Sequence, residues 1–145
     1  MYQTIVVTTA GEDIDHAAVR HAAALARSVG ATLTLLHVLP DAHRELEPGG
    51  DLSVSAEHIE QDWRAEGEHA LDEGEQDAAM PVRRVHVPAR GRSVPQAIVQ
   101  ECAALNSDLI VMATHGRTGW AHLVRGSVAE SVLHDTSTPV LLLHT

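Results

Sequence analysis

The residues best equipped for chemistry in this chain follow a short apolar run. Leu109 to Met112 lead into Ala113, Thr114, His115 and Gly116, and after nine further residues Gly126-Ser127 open a helical pattern. Gly116, Gly119 and Gly126 have no Cβ, so a ligand can approach the backbone closely there. The first N–H groups of a helix have no partner within it and sit at the positive end of its dipole. Together these features suit an anion the size of a phosphate. His115 can donate to a phosphate oxygen, Arg117 and Arg125 are the nearby cations, and Ser127 can bind or cap its helix. The plainer reading is a connecting loop with a solvated histidine and ordinary surface arginines.

Such a loop needs a scaffold, and the rest of the sequence supplies the pattern of one. Strand signals fall at Tyr2 to Thr8, Thr32 to Leu39, Val82 to Val87, Leu109 to Met112 and Val140 to His144. Helical spacing lies between them. Ile14, Ala18, Ala22, Leu25 and Val29 form one stripe, stopped by Gly30. Val94, Ile98, Cys102 and Leu105 form another, with Ser93 as N-cap and Pro95 in the first turn. A third helix runs from Ser127 to Asp135. Ser55 to Gln76 is a weaker pattern, because Gly67 and Gly74 interrupt it and only Ile59, Trp63, Ala70 and Leu71 are apolar along one face. Asp41 to Leu52 reads as a mobile surface loop. Strands alternating with helices imply right-handed crossovers and an α/β fold, doubly wound and Rossmann-like, with a five-stranded, mainly parallel sheet and about four helices. Ligands on such sheets bind at the carboxyl ends of the strands, here after Val7, Val38 and Met112.

Composition narrows the function. The 145 residues have the length of one domain, and with no linker or repeat residues 1–145 read as a single domain. Hydrophobic residues make up 44% and aromatic residues only 2%, so the core must be built from Ala, Val, Leu and Ile. A net charge of −10 argues against nucleic acid as a partner. All ten basic residues are arginines, which excludes a phosphate-binding lysine and Schiff-base chemistry. Cys102 is the sole cysteine. With no leader pattern and no apolar run of about 20 residues, the expectation is a soluble cytoplasmic protein without membrane insertion.

Two further constellations have plainer accounts. His58, Asp62 and Glu66 lie four residues apart, with His69 nearby, but a solvated acidic helix face explains them better than a metal site, and no protein metal ligand is expected. Gly91-Arg92-Ser93-Val94-Pro95 lacks the last glycine of a nucleophile elbow. No residue qualifies as catalytic, so any hydrolysis of a bound phosphate ligand is expected to be slow.

The Ala113 to Ser127 segment resembles the universal stress protein family, whose nucleotide-binding members carry Gly, two residues, Gly, nine residues, then Gly-Ser or Gly-Thr. Here Gly116, Gly126 and Ser127 match, and Ala113 stands at the first glycine. Ile5-Val6-Val7, Leu35 to Val38, Gly91 with Pro95, and Thr138 to Leu143 also fall where the family has its elements, so the resemblance spans essentially the whole chain. It implies ATP or a related adenine nucleotide, with Mg²⁺, held by Thr8, Thr9, Ala10, Val38, Met112, Ala113, His115, Gly116, Arg117, Gly126, Ser127 and Val128. The family's ATP binders carry Pro-Thr-Asp or Pro-Val-Asp where this chain has Thr8-Thr9-Ala10, and Ala10 removes that carboxylate acceptor. Losing one hydrogen bond weakens binding by about 0.5–1.5 kcal/mol. Asp13 and Asp15 are assigned to capping and charging the first helix turn.

Two functions fit. One is a nucleotide-binding stress-response regulator whose occupied and empty states present different surfaces to a partner protein. The other is a nucleotide-free interaction module of the same family. Both assemble as homodimers: Val140, Leu141, Leu142 and Leu143 form an apolar strand with no following helix to cover its edge, and many family members pair these last strands about a two-fold axis.

Overall fold

The computed structural model describes residues 1–45, 52–114 and 128–144. His115, Gly116, Arg117, Gly126 and Ser127 lie outside the described residues, as do Gly119, Arg125 and the turn Pro48-Gly49-Gly50. The elements run β1 (Thr4–Thr8), α1 (Asp13–Val29), β2 (Thr32–Leu39), α2 (Ala42–Glu45), α3 (Leu52–Ala78), β3 (Arg83–Pro88), α4 (Val94–Ala104), β4 (Leu109–Thr114), α5 (Val128–Asp135) and β5 (Val140–His144).

The five strands form one sheet in the order β3-β2-β1-β4-β5, and every pairing is parallel. Successive strand residues point to opposite faces, and both faces are covered. Ile5, Val7, Leu33, Leu35, Leu109 and Val111 pack against Ala18, Val19, Ala22 and Ala26 of α1 and Leu71 of α3. Val6, Leu36, Ile110 and Met112 pack against Ala97, Ile98 and Cys102 of α4 and Ala129 and Val132 of α5. This is a doubly wound α/β sheet. The chain leaves β1 in one direction to β2 and returns on its other side as β4, so the order reverses between β1 and β4, where a crevice opens at the carboxyl ends.

Local chemistry sets the boundaries. Strand β1 starts at Thr4, later than the expected Tyr2, and at its start the Asp108 carboxylate accepts the N–H groups of Gln3 (2.8 Å) and Thr4 (3.1 Å). Strand β4 runs on to Thr114 because β5 stays in register with it through Ala113 opposite Leu143 and Thr114 opposite His144. Gly30 ends α1 in the left-handed region, at φ 74°, and the Ala31 N–H returns to the Ala26 carbonyl at 2.9 Å. Ser93 caps α4 through a reciprocal pair with Gln96.

Two expectations need correcting. The segment Asp41 to Leu52 is not a plain loop: Ala42–Glu45 form a short helix, because Asp41 accepts the His43 N–H (3.0 Å) and Glu60 accepts the Ala42 N–H (3.0 Å). The glycine-interrupted pattern is the longest helix, 27 residues, starting at Leu52 and not Ser55. Gly67 and Gly74 do not break it because each faces the sheet at a point of close approach. A Cβ built on Gly67 would lie 2.6 Å from Nε2 of His37 and 2.9 Å from Nε2 of His86. Tertiary packing outweighs the helix propensity of glycine here.

Candidate functional site

A cavity of about 350 Å³ lies at the carboxyl ends of β1, β2 and β4. Thr8, Thr9, Ala10, Val38, Met112, Ala113 and Val128 all line it, so every sequence-predicted ligand residue within the described part of the chain meets at one place. Arg117 and the other predicted phosphate contacts fall outside the described residues.

The floor is built by strand ends whose polar groups are committed to the backbone. The Thr9 N–H extends the sheet by donating to the Leu36 carbonyl at 2.9 Å. The Thr9 carbonyl accepts from Nδ1 of His37 at 2.7 Å. A carbonyl can only accept, so Nδ1 carries the proton, and burial holds the His37 pKa below the usual histidine value. The imidazole is therefore neutral near pH 7.

The turn from β1 into α1 is fixed by Asp15. Its carboxylate accepts the Ala10 N–H at 2.8 Å and the Glu12 N–H at 3.0 Å. Burial raises the Asp15 pKa, while these N–H groups oppose the rise by solvating the anion. Asp15 thus does more than charge a helix terminus: it shapes the cavity rim beside Ala10.

Several lining residues escaped the sequence reading. Helix α3 brings Trp63 and Glu66 to the cavity, α4 brings Val94 and Ile98, and His37 completes the wall between them and β2. Glu66 had figured only in a solvated acidic face. The missed signal was Gly67. It lets α3 press onto His37 and His86, which are paired across β2 and β3, with ring centroids 4.9 Å apart at an interplanar angle of 71°. Nδ1 of His86 donates to Glu68 at 2.8 Å, while its Nε2 is buried without a hydrogen-bond partner. Only a residue without a side chain allows a helix backbone to sit on two such rings.

Mostly aliphatic walls, a few convergent polar groups and this volume suit a small organic ligand. Among the described residues no group of three metal-ligating side chains converges, and no helix is long and apolar enough to cross a membrane. His69 pairs with Glu73 on α3, away from the cavity.

Comparison with known proteins agrees with this architecture. A universal stress protein of Methanocaldococcus jannaschii is 30% identical over 145 residues, covering 99% of this chain and 82% of the relative. A universal stress protein crystallised with cAMP superposes with a TM-score of 0.67 at 25% identity, covering 99% of this chain and 98% of the other. The universal stress protein of Archaeoglobus fulgidus in complex with dAMP gives a TM-score of 0.59 at 23% identity, with 97% of each chain covered. A statistical description of the Universal stress protein family matches residues 1–144, and the chain belongs to that family.

Proposed function

We propose that this chain binds an adenine nucleotide at the carboxyl edge of its sheet and works as a dimeric, nucleotide-responsive regulator. The observation that carries the reading is the cavity beside the β1–β4 reversal, lined by all seven described residues for which the sequence implies ligand contact. Family relatives bound to cAMP and dAMP support an adenosine phosphate as the ligand class. The nucleoside would occupy the cavity between Val38, Met112 and the Thr8 to Ala10 strand end, and the phosphates would extend toward Gly116, Gly126 and Ser127. ATP with Mg²⁺ is the fullest form of this proposal, the ion being carried by the phosphates. The groups shaping the wall, Asp15 and His37, are spent on backbone contacts, which favours binding over turnover.

Assembly follows from β5, which pairs with β4 on one side and stands at the edge of the sheet. Val140 to Leu143 are only half-buried there, a template for a second copy of the same strand. The nucleotide-free alternative draws on Ala10, exposed at the rim, which offers no side-chain acceptor.

Calorimetric titration of wild type and Gly126→Val with ATP and AMP tests the reading. A branched side chain at the helix start should lower affinity more than tenfold, about 1.4 kcal/mol or more. No wild-type binding near millimolar nucleotide would favour the nucleotide-free module.

A further inference from the structure

The cavity wall contributed by α3 carries one aromatic ring, Trp63, and one carboxylate, Glu66, that makes no hydrogen bond or ion pair among the described residues. Trp63 is one of only three Phe, Tyr or Trp residues in the chain, and it is half-buried against the cavity. Glu66 lies three residues on, on the same helix face. Among the described residues, three carboxylates line the cavity. Asp15 is engaged by backbone N–H groups and Glu12 also has a partner, whereas Glu66 makes no hydrogen bond or ion pair among the described residues. Glu66 and the buried ring of His37 line the same cavity, so this carboxylate stands at the site.

The position of this wall depends on Gly67. The close seat of α3 on His37 and His86 holds the preceding turn, with Trp63 and Glu66, at the cavity. A flat indole face beside an open hydrogen-bond acceptor matches a nucleoside: a π-surface to stack, and a hydroxyl or amine to donate.

We infer that α3 is part of the ligand site, with Trp63 stacking on the nucleobase and Glu66 accepting a hydrogen bond from the nucleoside, the acceptor that Ala10 does not provide. The inference rests on the nucleotide reading and deepens it. The negative charge at this end also orients the ligand, because it repels phosphates toward the opposite end, beyond Ala113 and Val128. The donor to Glu66 is either a ribose hydroxyl or the exocyclic amine of adenine, and the two are separable by experiment.

The test is calorimetric titration with AMP, dAMP and inosine monophosphate. Trp63→Leu should weaken AMP binding about tenfold, whereas Trp63→Phe, which keeps a flat ring, should stay within about threefold of wild type. Glu66→Ala should weaken AMP binding about tenfold and abolish whichever preference wild type shows, over dAMP if the donor is the 2′-hydroxyl or over inosine monophosphate if it is the amine. In a Trp120→Phe background the remaining indole is Trp63, and its emission should fall as AMP is added; this reading needs no change at Trp63 itself. Wild-type affinity in Trp63→Leu or in Glu66→Ala, or an unchanged Trp63 emission at saturating AMP, overturns the inference while leaving the nucleotide reading intact. Absence of AMP binding by wild type overturns both.

Discussion

Replacing Gly67 by alanine adds one methyl group and should nonetheless be among the more damaging single changes in α3. Alanine is favoured over glycine in a helix by about 1 kcal/mol, so an unobstructed site would gain stability. Here the new Cβ would fall 2.6 Å from Nε2 of His37, 2.9 Å from Nε2 of His86, and closer still to Cδ2 of His37. These rings cannot easily retreat. His37 is buried and tied to the Thr9 carbonyl at 2.7 Å, and His86 is tied to Glu68 at 2.8 Å. Overpacking of this kind costs about 1–3 kcal/mol, and pulling His37 off Thr9 adds about 0.5–1.5 kcal/mol. Set against the helix gain, the net loss is about 1–3 kcal/mol, a fall of about 1 M in urea midpoint for a chain of this size. Gly74→Ala is the matched control: its Cβ would lie 3.0 Å from the flexible end of Leu35, and stability should stay within about 0.5 kcal/mol of wild type. Circular dichroism of urea-unfolded Gly67→Ala, Gly74→Ala and wild type makes the comparison. Combining Gly67→Ala with His37→Ala should cost less than the sum of the two, since the second change removes the nearest obstructing atoms and leaves only Nε2 of His86. If Gly67→Ala is as stable as wild type, the close seat of α3 does not exist as described.

Three other outcomes follow from the same geometry. His16 hydrogen-bonds Asp77 across the α1–α3 seam, which raises its pKa, with Glu73 adding to the effect and burial and Arg20 opposing it. Its contribution is complete below the unfolded value of 6.5 and is lost as pH rises through the higher folded value, so the stability advantage of wild type over His16→Gln should shrink on going above pH 6.5 in urea titrations; a gap that widens contradicts this. Cys102 is buried on the sheet-facing side of α4 and its thiol pKa is pushed up to about 11, so a thiol reagent should label native protein only as fast as it unfolds, and immediate labelling without denaturant would contradict the packing. Leu142→Pro removes an N–H from the edge strand β5 and should convert a dimer to monomers in sedimentation; a wild-type monomer of 15.5 kDa at micromolar concentration refutes the assembly proposal.

What could be read from the sequence was what local periodicity encodes. The apolar runs at Ile5 to Val7, Leu33 to Leu39 and Leu109 to Met112 gave the parallel sheet, because strands buried on both faces have few polar interruptions. Gly30 and Ser93 gave helix ends, since their chemistry acts over one turn. The strand-end half of the candidate cavity was legible from topology, as ligands gather where strand order reverses. The α3 half did not. Two glycines in a polar stretch lower helix propensity, and only the facing residues, His37 and His86 on other strands, reveal that they mark a close approach. The role of Asp15 in holding Ala10 was hidden for a similar reason: a helix-start carboxylate looks the same in sequence whether it binds its own turn or the preceding strand end.

The function proposed for this chain depends on an adenine nucleotide occupying the cavity at the carboxyl edge of β1, β2 and β4. Amide chemical-shift mapping by NMR during titration with AMP tests it most directly. A nucleotide in the cavity should give saturable shifts concentrated at Thr8 to Ala10, Val38, Ala113 and Val128, together with the indole N–H of Trp63. Absence of saturable shifts up to millimolar AMP, or shifts gathered along β5 with these residues unmoved, would contradict it.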